Sequence, residues 1–187
     1  ACLRDERDRA LVAFAYDTMC RSAEIVAFDV NDISTGTDGS GVARIQRSKT
    51  GQEGEGSFAY LSPLPVKLWD FWLRVISITS GAIFRKVIGL RGIGGCLKAP
   101  AVADRLRRIA QWIGLPPDSW QATSAHSTRV GGAQDLSALG IELPGIMQAG
   151  RWKDSRQVIR YTEHLQPARG AMARAAKTQG RTRVCRR

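Results

Sequence analysis

The 187 residues, 43% hydrophobic and 24% charged, suffice for the core of one ordinary domain, or for two very small ones. Twenty-eight lysines and arginines against 17 acids leave a net charge of +11, the balance either of a basic solvated surface or of a domain that neutralises the phosphates of a nucleic acid. No apolar run reaches the roughly 18 residues of a membrane span, and the charged start Leu3–Arg9 excludes a secretory signal.

In chain order, the apolar spacing predicts a first helix from about Arg4 to Cys20, with Leu11, Ala15 and Met19 on one face. A short helix capped by Ser22 follows, with Arg21 at the junction. Asn31, Asp32 and the stretch Ser34–Gly41 punctuate the chain. Val42–Arg47 and Ser57–Leu61 read as two strands of a hairpin, joined by a long glycine-rich loop with Lys49 on its shoulder. Pro63 and Pro65 open a helix whose apolar face carries Leu68, Trp69, Trp72, Leu73 and Ile76, with Phe71 counted among the core aromatics. Gly81–Phe84 offers a third short strand, and the glycine-rich Arg85–Lys98 reads as loop or poorly ordered chain.

From Pro100 onward the pattern turns helical. Val102, Leu106, Ile109 and Ile113 recur at helical spacing until Gly114 and the pair Pro116-Pro117. Further helices are predicted from Ser124 to Leu139, from Pro144 to Gly150, from Ser155 to Leu165 and from about Ala168 to Gln179. The fold class is therefore α+β, mainly helical, with a small antiparallel three-stranded sheet. Residues 169–187 carry seven arginines and lysines and no acid, the composition of a nucleic-acid arm or, over 180–187, of a disordered basic tail. The four cysteines, Cys2, Cys20, Cys96 and Cys185, stand too far apart for a zinc ligand set or a compact disulfide framework. They read as reduced thiols of a cytoplasmic protein.

His126 and Arg129 are three apart on the predicted helix from Ser124 and so share a face, and Tyr161 lies on the helix from Ser155. Taken alone, the trio also fits a hydrogen-bonded structural histidine and a core tyrosine with a wet hydroxyl. Arg21 with Glu24 equally fits a helix-start ion pair, Lys49 a solvated turn lysine and Trp152 a core ring.

The longer stretch is more specific. Ser124-Ala125-His126-Ser127-Thr128-Arg129-Val130-Gly131 resembles the H-x-x-R box of the tyrosine recombinases, the phage integrase family. The likeness continues through Ile146–Trp152, Tyr161, Gly170-Ala171-Met172 and Arg174. Trp152 stands where most of the family has histidine, which resembles the Cre-type recombinases; Ala125 departs from the glycine usual there. Upstream, Ala15–Ile25 resembles the segment holding the family's first arginine and its supporting acid, and Arg47-Ser48-Lys49-Thr50 the hairpin bearing its lysine.

The resemblance implies a tyrosine-recombinase catalytic-domain fold over residues 1–187, and a catalytic set of Arg21, Lys49, His126, Arg129, Trp152 and Tyr161. The chemistry fits those residue types. Charge grows on two non-bridging oxygens in the transition state of phosphoryl transfer, so two guanidiniums form a natural clamp, here Arg21 and Arg129. Tyr161 is the nucleophile, and positive charge close to a phenol favours its anion. His126 takes the tyrosyl proton or hydrogen-bonds the phosphate, Lys49 protonates the departing 5′-oxygen, and Trp152 gives its indole N–H to a phosphate oxygen. Glu24 orients Arg21 or His126. His164 reads as structural or as a secondary phosphate contact. No cofactor and no metal is implied, since His126 and His164 are the only histidines and no tight carboxylate cluster occurs.

The family further implies double-stranded DNA as partner and a homotetramer on DNA through the C-terminal helix, with a monomer expected in its absence. The stripe Ala171, Met172, Ala173, Ala175 and Ala176 suits such docking, or folds back on its own domain. A separate N-terminal domain that closes around DNA is also implied and is not contained in this chain. The chain is accordingly expected to cleave poorly alone and to bind DNA with a steep salt dependence. Two other readings remain at this stage. One is a non-catalytic helix-turn-helix regulator, with Gln134–Gly140 and Pro144–Gly150 as its helices and Leu136, Leu139, Ile141 and Ile146 as its core. The other is a type IB topoisomerase-like strand transferase, which shares the chemistry without exchanging partners.

Overall fold

The first helix, α1 (Leu3–Thr18), ends two residues before its predicted limit because Met19 takes a left-handed conformation (φ 47°, ψ 33°). In the computed structural model, which describes residues 2–46, 56–163 and 170–179, the chain forms two compact units, Ala1–Arg129 and Val130–Arg187. In the first unit, α1 buries Leu11, Phe14 and Ala15. Phe14 meets Phe28 and Phe84 edge-on, with ring centroids 5.0 and 5.6 Å apart, the geometry that aromatic quadrupoles prefer. Nearer its start, α1 also buries the neighbouring pair Arg7 and Asp8. The Arg7 Nε donates to Asp8 Oδ1 over 2.7 Å and its Nη1 to the Arg85 carbonyl over 3.3 Å. Burial pushes the Asp8 carboxyl above its ordinary range, although Arg7 pulls it down.

After α2 (Ser22–Ala27) and a 3-10 turn (Val30–Asp32), three strands form the antiparallel sheet. They are β1 (Ile33–Thr35), β2 (Gly41–Ile45) and β3 (Ser57–Leu61), in the order β1-β2-β3. Strand alternation turns Ala43, Ile45, Ala59 and Leu61 into the core and leaves Val42, Phe58 and Tyr60 exposed. The third strand thus precedes the hairpin. Gly81–Phe84, the predicted candidate, makes only an isolated bridge between Asp29 and Ala82 and sends Ile83 and Phe84 wholly into the core.

At the edge of this sheet Asp32 is buried and accepts from Arg44 Nη2 (3.1 Å) and from Gln46 Nε2 (2.9 Å to each oxygen). Burial alone would raise its pKa. The bonds from Gln46, the Asp29 backbone and Arg44 together outweigh it and hold the carboxyl below its usual value. A carboxyl depressed in the folded state contributes stability above its unfolded pKa of about 4 and loses it as pH falls through the folded value. We therefore expect the thermal midpoint gap between wild type and Asp32→Asn, measured by scanning fluorimetry, to be full at pH 6 and to close progressively below about pH 4.

The helix α3 (Pro63–Val75) buries Trp69, Trp72 and Leu73, and Trp72 Nε1 donates to the Ile83 carbonyl over 2.8 Å. Phe71, expected in the core, is instead 44% exposed, because the helical period carries it round to the side opposite Trp69. The stretch expected to be loop is a second hairpin, β4 (Arg85–Ile88) with β5 (Gly92–Cys96). Its glycines build it. A Cβ on Gly92 would lie 2.8 Å from the Ile88 carbonyl oxygen, so the backbone of β5 closes on Ile88 there only without a side chain.

The helix α4 (Ala99–Trp112) packs through Val102, Leu106 and Ala110 and is ended by Gly114 at φ +81°. Ile113, on the predicted apolar stripe, is 60% exposed beyond the helix end. A short α5 (Pro117–Ala122), not anticipated, starts with proline at its first turn. The helix α6 (Ser127–Ala138) carries the chain from the first unit into the second and stops before Gly140 at φ +82°. The second unit adds α7 (Leu143–Gly150), α8 (Ser155–Thr162) and α9 (Ala171–Thr178). Asp154 rather than Ser155 caps α8, its carboxylate accepting from the Arg156 N–H over 2.8 Å. Among the described residues no helix is long and apolar enough to cross a membrane.

Candidate active site

The corner between α1 and α2 is where the first unit assembles functional groups. Arg21, not Ser22, is the N-cap residue of α2. Three residues on, Glu24 reaches back: one carboxylate oxygen accepts the Arg21 backbone N–H (2.8 Å) and the other accepts Arg21 Nη1 (2.9 Å). Glu24 is buried while the Arg21 side chain is 48% exposed. The acid thus anchors the base of a guanidinium that still faces solvent. Arg21 is one of the two partners expected for Glu24.

Arg129 belongs to the same corner. Its side chain is 3% exposed, and its Nη1 donates to the carbonyl of Met19, two residues before Arg21. A buried guanidinium needs acceptors to offset the water it has lost, and a backbone carbonyl supplies one without cancelling its charge. Two arginines far apart in sequence are thereby fixed against one turn of backbone.

His126 stands differently from expectation. The regular part of α6 begins at Ser127, three residues after the predicted cap Ser124, whose N–H donates to Ser127 Oγ (2.9 Å). His126 lies on the turn before the helix, its own N–H donating to Ser124 Oγ over 3.2 Å, and is exposed. Lys49, with the segment Arg47–Thr50, and His164 lie outside the described residues, as do residues 180–187.

In the second unit, Trp152 and Tyr161 are brought together, with ring centroids 6.2 Å apart and planes tilted by 59°. Trp152 is 7% exposed and Tyr161 half-buried. Trp152 reaches this place because Arg151 ends α7 in the left-handed conformation (φ 55°), after which the Trp152 N–H donates back to the Met147 carbonyl over 2.9 Å. The ring then covers Gly150, where any Cβ would run into it. Tyr161 sits near the end of α8, and its carbonyl accepts from Gln134 Nε2 of α6 over 3.1 Å.

Gln134, Met19 and the pair Gly150-Arg151 were given no supporting role in the site from sequence. Only Gly150, at the end of a helical pattern, carried a visible signal. Because a left-handed conformation costs an L-residue about 1–2 kcal/mol, Arg151→Gly should raise stability by about 1 kcal/mol after the greater freedom of glycine in the unfolded chain is counted. A thermal midpoint raised by a few degrees in scanning fluorimetry is the expected result; an unchanged or lower one contradicts it.

The sequence pattern of the phage integrase family matches residues 2–167. The chain belongs to the phage integrase family. Among the curated members, Recombinase cre of Escherichia phage P1 is 33% identical over 184 residues, covering 91% of this chain and 53% of that protein. The chain therefore spans about half the length of this family relative. Solved structures share the fold: the XerA recombinase with a TM-score of 0.67 at 17% identity, over 96% of this chain and 58% of that one. A second is the XerH site-specific recombinase bound to difH substrate in a pre-cleavage complex, with a TM-score of 0.65 at 18% identity, over 90% and 47%. The mainly helical α+β fold with its small three-stranded sheet is the tyrosine-recombinase fold. Of the core named for the helix-turn-helix alternative, Leu139 is 77% and Ile141 45% exposed, while Ile146 is buried.

Proposed function

We propose that this chain carries the catalytic residues of a site-specific DNA recombinase, which cuts and rejoins strands through a covalent 3′-phosphotyrosine. The observation that supports this best is the α1–α2 corner, where Glu24 holds Arg21 and the Met19 carbonyl holds Arg129. Two restrained guanidiniums suit a phosphodiester whose two non-bridging oxygens gain charge in the transition state. A regulator that only tracked the DNA backbone would need neither a buried arginine nor the restraint.

In this reading the Tyr161 oxygen attacks phosphorus, and the bond from phosphorus to the 5′-oxygen breaks. The tyrosyl proton passes to His126, and Lys49 protonates the departing 5′-oxygen. The products are a 3′-phosphotyrosine and a free 5′-hydroxyl, so the ester keeps the bond energy and religation needs no external energy source. Trp152, packed over Gly150 and beside Tyr161, steadies the nucleophile's ring and offers its indole N–H to phosphate. The substrate is double-stranded DNA, taken up by a tetramer of recombinases that forms on it, and the compartment is the cytoplasm. No cofactor takes part.

The test is a suicide substrate, nicked so that the cleaved fragment diffuses away, incubated with the natural full-length protein. A band that survives denaturation and carries a 3′-linked DNA end is the expected outcome. Specific DNA binding with no such band overturns the catalytic reading in favour of a regulator.

A further inference from the structure

We propose that Met19 is a positioning residue for Arg129, acting through its left-handed backbone. The inference rests on the catalytic reading of Arg129 above. Among the described residues only Met19, Ser77 and Arg151 are non-glycines at positive φ. Two of the three lie within two residues of groups assigned to the reaction, Met19 two before Arg21 and Arg151 directly before Trp152, and such conformations persist where the surroundings over-determine them.

The surroundings at Met19 do so. Its N–H donates to the Tyr16 carbonyl (3.3 Å), closing α1, and Thr18 Oγ1 ties back to the Phe14 carbonyl (2.7 Å). The Met19 and Cys20 side chains are buried at 3% and 0% exposure, which pins both sides of the turn. A helical residue 19 would aim its carbonyl along the α1 axis. The left-handed turn instead swings it onto the Arg129 guanidinium and, in the same stroke, starts α2 at Arg21. One backbone torsion therefore sets both guanidiniums: Arg129 through the carbonyl, Arg21 through the start of the helix whose Glu24 holds it. The conformation is selected by the function it serves and by the buried methionine side chain, since glycine would adopt it more easily.

The experiment compares Met19→Gly, Met19→Ala and Met19→Val in the full-length protein. It measures single-turnover adduct formation at saturating DNA, DNA affinity by anisotropy, and thermal midpoint. Glycine takes the left-handed region freely, alanine at ordinary cost, and the β-branched valine hardly at all. Gly and Ala are expected to cleave within about three-fold of wild type, and Val at least about ten-fold more slowly with affinity unchanged within about two-fold. The Val deficit should shrink on a substrate whose scissile phosphate carries a methyl in place of one charged oxygen, because a neutral phosphate needs the guanidinium less. A merely structural defect would be the same on both substrates.

Equal rates for Val and wild type, or equal losses for Gly and Val, overturn the inference. Should the Val variant not fold, nitrogen-15 spectra of the arginine side chains decide. Resolved, slowly rotating Arg129 Nη protons in wild type and in Met19→Gly support it, and a freely rotating Arg129 in wild type overturns it. Absence of any adduct from wild type overturns instead the catalytic reading on which the inference rests, and the two failures are distinct.

Discussion

Replacing Tyr161 with phenylalanine should abolish the covalent adduct while the protein still folds and still binds DNA. The substitution removes one oxygen and nothing else that the structure uses. The ring keeps its place beside Trp152, and the bond from Gln134 is made by the residue 161 carbonyl, which phenylalanine retains. Tyr161 is half-buried, so losing its hydroxyl should change stability by less than about 1 kcal/mol. The chemistry has no substitute for the nucleophile, and loss of a residue in that role costs on the order of 10⁴-fold or more. On a denaturing gel of the suicide substrate, the wild-type adduct band is expected and the Phe band is not. An adduct from Tyr161→Phe would assign the nucleophile to another residue, however well the fold matched.

The second large effect belongs to Arg129. Arg129→Ala should slow cleavage by about 10²–10³-fold, the cost typical of losing one preorganised donor to a developing anion. Unlike Tyr161→Phe, it should also destabilise. The Met19 carbonyl loses its donor beside a new cavity, worth roughly 1–3 kcal/mol. Arg129→Lys is expected to recover part of the stability but little of the rate, because an ammonium cannot hold a carbonyl and a phosphate with the planar fork of a guanidinium. Arg21→Ala makes the informative contrast. Its side chain is 48% exposed and its ion pair with Glu24 is correspondingly screened, so the rate should fall with much less loss of stability. Single-turnover cleavage and chemical denaturation on the same preparations separate the two. Equal destabilisation by both alanine variants would contradict the different burial of the two arginines.

These two residues also show why the arginine pair was legible and its support was not. Arg21 and Arg129 stand in motif blocks whose residue types and order resemble a family, and type and order survive in a linear string. Glu24 was legible for the same reason: three residues on from Arg21, it is within local reach. The Met19 carbonyl on Arg129 joins residues 110 positions apart, and no side-chain type marks a backbone acceptor. The same holds for Gln134 on the Tyr161 carbonyl. His126 was assigned to a helix because Ser124 matched a capping residue, whereas Ser124 bonds with His126 and Ser127 in a turn and the regular helix starts at Ser127.

Elsewhere the division follows the length scale of the interaction. Helical and strand periodicity sufficed for α1, α3, α4, β2 and β3, since each announces one buried face. The hairpin of β4 and β5 was missed because its glycines signal loop when counted and close packing only when Ile88 is seen across from them. By itself, the sequence of this protein determined the family and the mainly helical class, which depend on residue type and spacing, and the candidate catalytic residues came from the resemblance those motifs carry. Only the tertiary structure decided that Glu24 contacts Arg21, that the Met19 carbonyl in a left-handed turn accepts from Arg129, and that Trp152 folds over Gly150 beside Tyr161. Those are contacts of backbone conformation and burial, and they exist only once the chain has closed on itself.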